Sequence, residues 1–514
     1  MKKNILFFIV YLLFTSSYSQ NFEKFLGGSG PDSMTSIEQT SDGGYICAGQ
    51  SASKNGDLSG TECNADENGK TWIVKLSQAG NIQWQKCLET ISTVYSIKQT
   101  SDGGYVVGGT AADMTGNHGG SDFYIAKLDN IGNIQWQKSL GGSGEEWAFS
   151  IQQTSYGGYI MAGISDSNDG DVTGNHGGGD YWIVKLSDTG NIQWQKSLGG
   201  TGYEIARSII QTKDGGYIVA GGSNSNDGDV IGNHGGGGDY WIVKLNKRGK
   251  IQWKKSLGGS GSDYAFSIQQ TTRGGYIITG VSGSNDGDVN GNNGGNDMWI
   301  VKITNSGNIQ WEKCLGSSNH ETGLVIRQTA DDDYLVAGYT VPRLNDEGDP
   351  LFDLLMVKLS KSGIVQQEQT YGTPDGSDYP FSMEVTADGG YIIAGFSNSS
   401  YENGNGTHGH VDGWILKLGA IEGRLSTTKL FSKKSISDNS IIIYPNPSSN
   451  EIQVNTIEKI RDLPYTVYDQ SGKAVLKGKL NENQTTITIG SLSKGIYILS
   501  IGDNNEINRK IIKD

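Results

Sequence analysis

Apolar and polar positions in this chain alternate in short runs and never hold a helical period for long. The runs are rich in Ile, Val, Tyr and Trp and are bounded by Gly, Asn, Asp or Ser, which marks short strands closed by turns. They come in fours. In one copy the pattern predicts strand a over 148–154, strand b over 158–163, strand c over 181–186 and strand d over 192–198.

The group of four recurs about every 58 residues. Asp-Gly-Gly-Tyr and its variants place a tyrosine at Tyr45, Tyr105, Tyr159, Tyr217, Tyr276, Tyr334 and Tyr391. The strand-c motif Trp-Ile-Val-Lys-Leu places a lysine at Lys75, Lys127, Lys185, Lys244, Lys302, Lys358 and Lys417. The strand-d motif Ile-Gln-Trp-Gln-Lys is kept from Trp84 to Trp311, then has Gln367 at the tryptophan position. After Lys417 strand d is missing, and residues 21–28 match it instead, with Phe22 in the tryptophan slot. A period of this length points to repeat architectures. A split last unit is what a closed ring needs, because pairing the first strand with the last c strand removes two sheet edges. An open solenoid would need capping repeats instead. The expectation is an all-β chain: a seven-bladed β-propeller over 20–418 closed by an N-terminal strand, a linker over 419–440, and a small Ig-like β-sandwich over 441–514.

Composition narrows the setting. The formal net charge of −14 argues against nucleic acid or an anionic membrane as partner. Residues 1–19 read as a secretory signal peptide: Lys2 and Lys3, an apolar core over 5–14, then Ser17-Tyr18-Ser19. No other stretch is long and apolar enough for a transmembrane span. Export permits disulfides, and of the four cysteines Cys47 and Cys63 share a blade and form the preferred pair.

Candidate chemistry falls on the face that carries the b–c and d–a loops, since the a–b and c–d turns are tight glycine turns. Three b–c loops read Ser-Asn-Asp-Gly-Asp-Val and offer Asp169 with Asp171, Asp227 with Asp229, and Asp286 with Asp288 as Ca²⁺ ligands. The competing reading is that these side chains bond their own loop backbone. His118, His176, His234 and His408 follow, one per loop and flanked by glycine, a poor zinc spacing. An acid then opens strand c at Asp122, Asp180, Asp239, Asp297, Asp353 and Asp412, with Lys70 breaking the run.

A second recurrent acid precedes strand a: Asp32, Glu146, Glu204, Asp263, Glu321 and Asp378, with Ser92 the exception. Because strand a lines the channel of a propeller, these six could ring one mouth and hold a cation or a polyhydroxy ligand. The alternative is a repeated strand-start hydrogen bond that locks the blades. Trp147, placed in a d–a loop, stands outside the repeat pattern and is the candidate contact aromatic; the repeated tryptophans read as packing between blades. Blade six diverges most. No Gly-x-Ser-x-Gly elbow, His-Glu-x-x-His pair or phosphate loop occurs, so no catalytic residue is assigned. The expected function is binding of an extracellular glycan or protein without catalysis. The alternative is a polysaccharide-degrading enzyme on the long-loop face.

The C-terminal segment resembles the type A sorting domain of type IX secretion in Bacteroidetes. Its marks are Tyr444-Pro445-Asn446-Pro447, then Val467-Tyr468-Asp469-Gln470-Ser471-Gly472-Lys473, Leu492-Ser493-Lys494-Gly495-Ile496-Tyr497, and Arg509-Lys510-Ile511-Ile512-Lys513. The resemblance implies passage through the periplasm, the type IX machinery as partner of residues 441–514, and a secreted or outer-membrane-surface location. The repeats in turn look like those of secreted cargo that carries such a tail.

Overall fold

A computed structural model describes residues 21–514 except 62, 64–68, 89–92, 113, 115, 346–347, 374–375, 400–407, 410, 420–429, 432–440, 457–462, 470–472, 481–483 and 502–506. The expected signal peptide, Ser92 and most of the expected linker therefore lie outside the described residues.

Among the described residues the first unit, ending at Phe431, holds seven sheets, each with antiparallel strands a, b, c and d side by side. Strand a occupies Asp32–Gln39, Thr93–Gln99, Glu146–Gln153, Glu204–Gln211, Asp263–Gln270, Glu321–Gln328 and Asp378–Val385 in blades one to seven. It begins earlier than the pattern predicts, so Glu146 and Trp147 belong to a strand and not to a loop. Each sheet packs on the next in chain order, and the seventh packs on the first. The fold is a β-propeller.

The ring closes as the split unit requires. Phe22–Leu26 pairs antiparallel with Asp412–Leu418, from Phe22 opposite Lys417 to Leu26 opposite Gly413. Phe25 and Leu26 are buried, and the Trp414 indole donates to Glu23 at 2.8 Å. Phe22 meets Tyr45 of blade one edge-on at 6.0 Å. That contact repeats the one between each strand-d tryptophan and the next blade's tyrosine, such as Trp136 with Tyr159 at 5.7 Å. Trp72, Trp182, Trp241, Trp299 and Trp414 on the c strands are fully buried. A second stitch links neighbouring blades near the a–b turns: the Ser101 amide donates to the Gln153 side chain, and the Ala387 amide of blade seven to Gln39 of blade one.

The cysteines pair differently from the expectation. Cys63 is bonded to Cys87, with Cα atoms 5.4 Å apart, and Cys47 is a free thiol. Cys47 sits on strand b inside the blade-one core with its Sγ on the Val74 carbonyl, while Cys63, buried in the same core, is taken by Cys87. Cys87 lies on the outermost strand, Ile82–Leu88. Blade six gains a fifth strand, Leu430–Phe431, parallel to Val365–Gly372, within the stretch expected to be linker.

The unit from Ser432 to Asp514 is a separate sandwich of a three-stranded and a four-stranded antiparallel sheet around Ile452, Val454, Val467, Leu499 and Ile511. Among the described residues its strands are Ile441–Tyr444, Glu451–Thr456, Leu463–Tyr468, Ala474–Leu480, Gln484–Thr488, Gly495–Ile501 and Ile507–Lys513.

Strand-c lysines anchor the a–b turns. Lys75 meets Asp42 and Lys127 meets Asp102 at 2.9 Å, and Lys417 meets Asp388 at 3.0 Å. Burial works to raise each of these carboxyls, but a threonine hydroxyl, the lysine and the turn's own amide outweigh it and hold each at about 2. A carboxyl depressed in the folded state contributes stability that is present above its unfolded value of about 4 and lost as pH falls toward 2. Asp388→Asn should therefore lower the melting temperature at neutral pH, with a difference from the parent that closes between about pH 4 and pH 2 and so a flatter acid slope. An unchanged acid slope would show that this turn does not contribute.

Candidate binding site in the axial channel

Every strand a carries a β-bulge at the same place. The register slips between Met34 and Ser36, Val94 and Ser96, Ala148 and Ser150, Ala206 and Ser208, Ala265 and Ser267, Gly323 and Val325, and Pro380 and Ser382. A bulge leaves one residue without a cross-strand partner and re-aims its side chain. The residues so released are Thr35, Tyr95, Phe149, Arg207, Phe266, Leu324 and Phe381, and all seven line a cavity of roughly 690 Å³ in the channel.

This collar is aromatic and contains one charge. The Arg207 guanidinium lies 4.1 Å from the Phe149 ring centre and 5.8 Å from that of Phe266, and Tyr95 meets Phe149 edge-on at 5.0 Å. Burial lowers the Arg207 pKa, and it stays a cation at any ordinary pH. Among the described residues it forms no ion pair. On one side Phe381 continues into a cluster with Tyr379 and Phe396, the latter two stacked at 5.4 Å.

Toward the a–b turns a second ring lines the same cavity, with Glu38, Lys98, Gln152, Gln269, Arg327 and Glu384. Lys98 lies 3.8 Å from Glu38 and Arg327 3.2 Å from Glu384. Burial pushes the Glu38 carboxyl up. Burial pushes Glu384 the same way, but Arg327 and Lys98 outweigh it and hold that carboxyl low. Glu38 also accepts the Gln99 backbone amide, as Gln152 accepts that of Gln211 and Gln269 that of Gln328.

The acids singled out in the sequence lie elsewhere. Asp32, Glu146, Glu204, Asp263, Glu321 and Asp378 are buried and do not line the channel cavity. Each accepts a d–a loop amide, such as Gly142 to Glu146 at 2.8 Å, and a strand-b or following hydroxyl, such as Ser165 to Glu146 at 2.6 Å. Asp169, Asp227 and Asp286 accept the amides of Ser143, Thr201 and Ser260 in the neighbouring d–a loop, at 2.7, 2.8 and 2.7 Å. The amides of Asp171, Asp229 and Asp288 donate to the carbonyls of Gly141, Gly199 and Gly258. Trp147 is 46% exposed and is not part of the cavity lining. The four histidines each place Nδ1 on the strand-c aspartate of their own blade, at 3.2, 2.7, 2.6 and 3.0 Å. Among the described residues no three His, Cys, Asp or Glu side chains gather as a metal cluster.

Sequence reading missed the collar. A signal was present: the bulge position varies through Thr, Tyr, Phe, Arg, Phe, Leu and Phe, while serine follows it in all copies but one. Variation on a constant frame marks a position released from packing.

Comparisons with known proteins bear on export more than on the channel. Residues 442–514 match the family described as a secretion system C-terminal sorting domain. That tail assigns the chain to type IX secretion, to the cell surface or the extracellular space. No helix among the described residues is long and apolar enough to cross a membrane. A stretch of 130 residues, 25% of this chain, is 22% identical to a funoran endo-beta-hydrolase of Wenyingzhuangia aestuarii and spans 17% of that protein's length. Among solved structures, PorZ, a surface component of the type IX secretion system of Porphyromonas gingivalis, aligns over 94% of this chain and 59% of its own, at 12% identity and a TM-score of 0.40. The Pan2 WD40 domain of Neurospora crassa aligns over 80% of this chain and 99% of its own, at 9% identity and a TM-score of 0.42.

Proposed function

We propose that this exported propeller is a glycan-binding protein without catalytic activity, and that its ligand enters the axial channel. The observation that carries this reading is Arg207, a cation held between aromatic rings in the collar with no acid of its own. Aromatic faces suit the apolar faces of sugar rings, and a guanidinium forms strong, directional hydrogen bonds to acidic or hydroxyl oxygens. Arg207→Gln should weaken binding about 10- to 100-fold, the loss expected for a hydrogen bond to a charged group. An array of plant and algal polysaccharides that includes funoran supplies the probe. Equal binding by the variant and the parent would refute the channel as the site.

A second reading, polysaccharide hydrolysis, is favoured by the opposed shifts of Glu38 and Glu384 in one cavity, the arrangement that separates an acid from a base or nucleophile. The partial similarity to a hydrolase points the same way. Against it, Glu38 forms the strand clasp that glutamine forms elsewhere, and both carboxylates have basic partners. Reducing-sugar release that is lost in both Glu38→Gln and Glu384→Gln would establish the enzyme and overturn the binding-only reading.

A further inference from the structure

The two recurrent acids meet across the blade junctions. The backbone amide of Glu146 in blade three donates to the carbonyl of Ser121, the residue before Asp122 in blade two. Glu204 reaches Gly179 in the same way, Asp263 reaches Gly238, Glu321 reaches Asn296, and Asp32 reaches Val411, which closes the series around the ring. Their side chains share one pocket. A methyl group on Gly141 would collide with Asp122 Oδ1 and Glu146 Oε2 together, and the equivalent glycines Gly27, Gly199, Gly258 and Gly316 face equivalent pairs.

These pockets hold more negative charge than hydrogen bonds satisfy. Oδ2 of each strand-c aspartate is occupied, for example by the amide and ring of His176 on Asp180. Oδ1 of Asp122, Asp180, Asp239, Asp297 and Asp412 is buried without any partner, in residues that are 0% exposed. A buried carboxylate oxygen with neither donor nor cation, facing a second carboxylate, is strongly unfavourable.

The other two junctions show how the fold answers. Between blades six and seven Arg343 enters the pocket, with Nη2 on Asp353 Oδ1 at 3.1 Å and Nη1 on Oδ2 at 2.9 Å. Nη2 also donates to the Thr373 and Gly376 carbonyls of the d–a loop. Asp353 Oδ1 is the counterpart of the five unpartnered oxygens, and it is filled by a cation. Between blades one and two both acids are lost together, with Lys70 in place of one and Ser92, outside the described residues, in place of the other. A role in packing alone would let the two positions vary separately.

We propose that the five remaining junctions each bind a divalent cation, Ca²⁺ in preference, between the strand-c aspartate of one blade and the strand-a acid of the next. The donors are all hard oxygens, and two carboxylates leave the rest of the coordination to backbone carbonyls and water, which the irregular shell of Ca²⁺ accepts more readily than that of Mg²⁺. The inference does not depend on what the channel binds.

The test is equilibrium dialysis of the chelator-treated full chain against Ca²⁺, with melting recorded in Ca²⁺, Mg²⁺ and chelator. About five bound ions per chain are expected, and chelation should lower the melting temperature by about 10 °C or more. Asp180→Asn and Asp412→Asn should each remove one ion. Arg343→Met should add one, because it exposes a sixth pair. A melting temperature indifferent to chelator at saturating Ca²⁺ would overturn the proposal and leave proton sharing as the way the pairs are neutralised. Loss of ions in Asp229→Asn but not in Asp180→Asn would also overturn it, by moving the sites to the b–c loops.

Discussion

A chain lacking residues 22–26 should unfold with about 5 kcal/mol less stability than the intact one. The deletion uncovers space filled by Phe25 and Leu26, each of which contributes about 1.5–3 kcal/mol by burial. It removes the antiparallel ladder to Asp412–Leu418 and the Trp414–Glu23 hydrogen bond. It also bares the outer edge of the seventh sheet, and an exposed edge invites pairing with other chains. Denaturant titration measures the loss, and light scattering reports the aggregation that should accompany it. Because a loss of this size is comparable to the whole stability of many domains, the truncated ring should be only marginally folded. Unchanged unfolding would mean that the Phe22–Leu26 pairing does not hold the ring shut.

The second large effect is at Arg343. Removing one partner of a buried ion pair typically costs about 3–5 kcal/mol, since the other charge is left unpaired. Asp353 is 5% exposed and Arg343 26%, so Arg343→Met in chelator should fall at the lower end, about 3 kcal/mol. Ca²⁺ should restore most of that loss if it takes the place of the guanidinium. Arg273→Gln is the control, because Arg273 is 64% exposed where it meets Asp332 and such a surface pair is worth under about 1 kcal/mol. Equal losses for the two variants would show that the pocket around Asp353 gives its charge no special status.

The ring was legible in the sequence because every blade must present the same surfaces to its neighbours. Tyr159 has to receive Trp136, and Tyr217 has to receive Trp194, so those residues recur at a fixed spacing. Phe22 is recognisable in the tryptophan slot for the same reason. The acids were legible as two series but not as pairs. Asp122 and Glu146 belong to different strands of different blades, and their oxygens meet at Gly141 in the d–a loop, where the Glu146 amide bonds the Ser121 carbonyl. The shared loss at Lys70 and Ser92 was the available sign. The disulfide was misread because a cysteine's place in a blade does not reveal which way its Cβ points; Cys47 faces the core. The collar escaped because a bulge breaks the alternation on which strand reading rests.

That bulge has a consequence for how such proteins diversify. The serine that follows it clasps the next blade, as Ser150 accepts the Ile209 amide and Ser208 that of Ile268, while side chains such as Phe149, Arg207 and Phe266 stand at positions without a cross-strand partner. Such positions can therefore be exchanged without rebuilding the wheel that presents them, whereas Thr35, which bonds the Val94 carbonyl of the next blade, and Leu324, which packs on a blade core, are tied to it. Replacing Arg207 by tyrosine or Phe266 by lysine would rewrite the axis in the way a change of type rewrites a printed line, with the press left as it was.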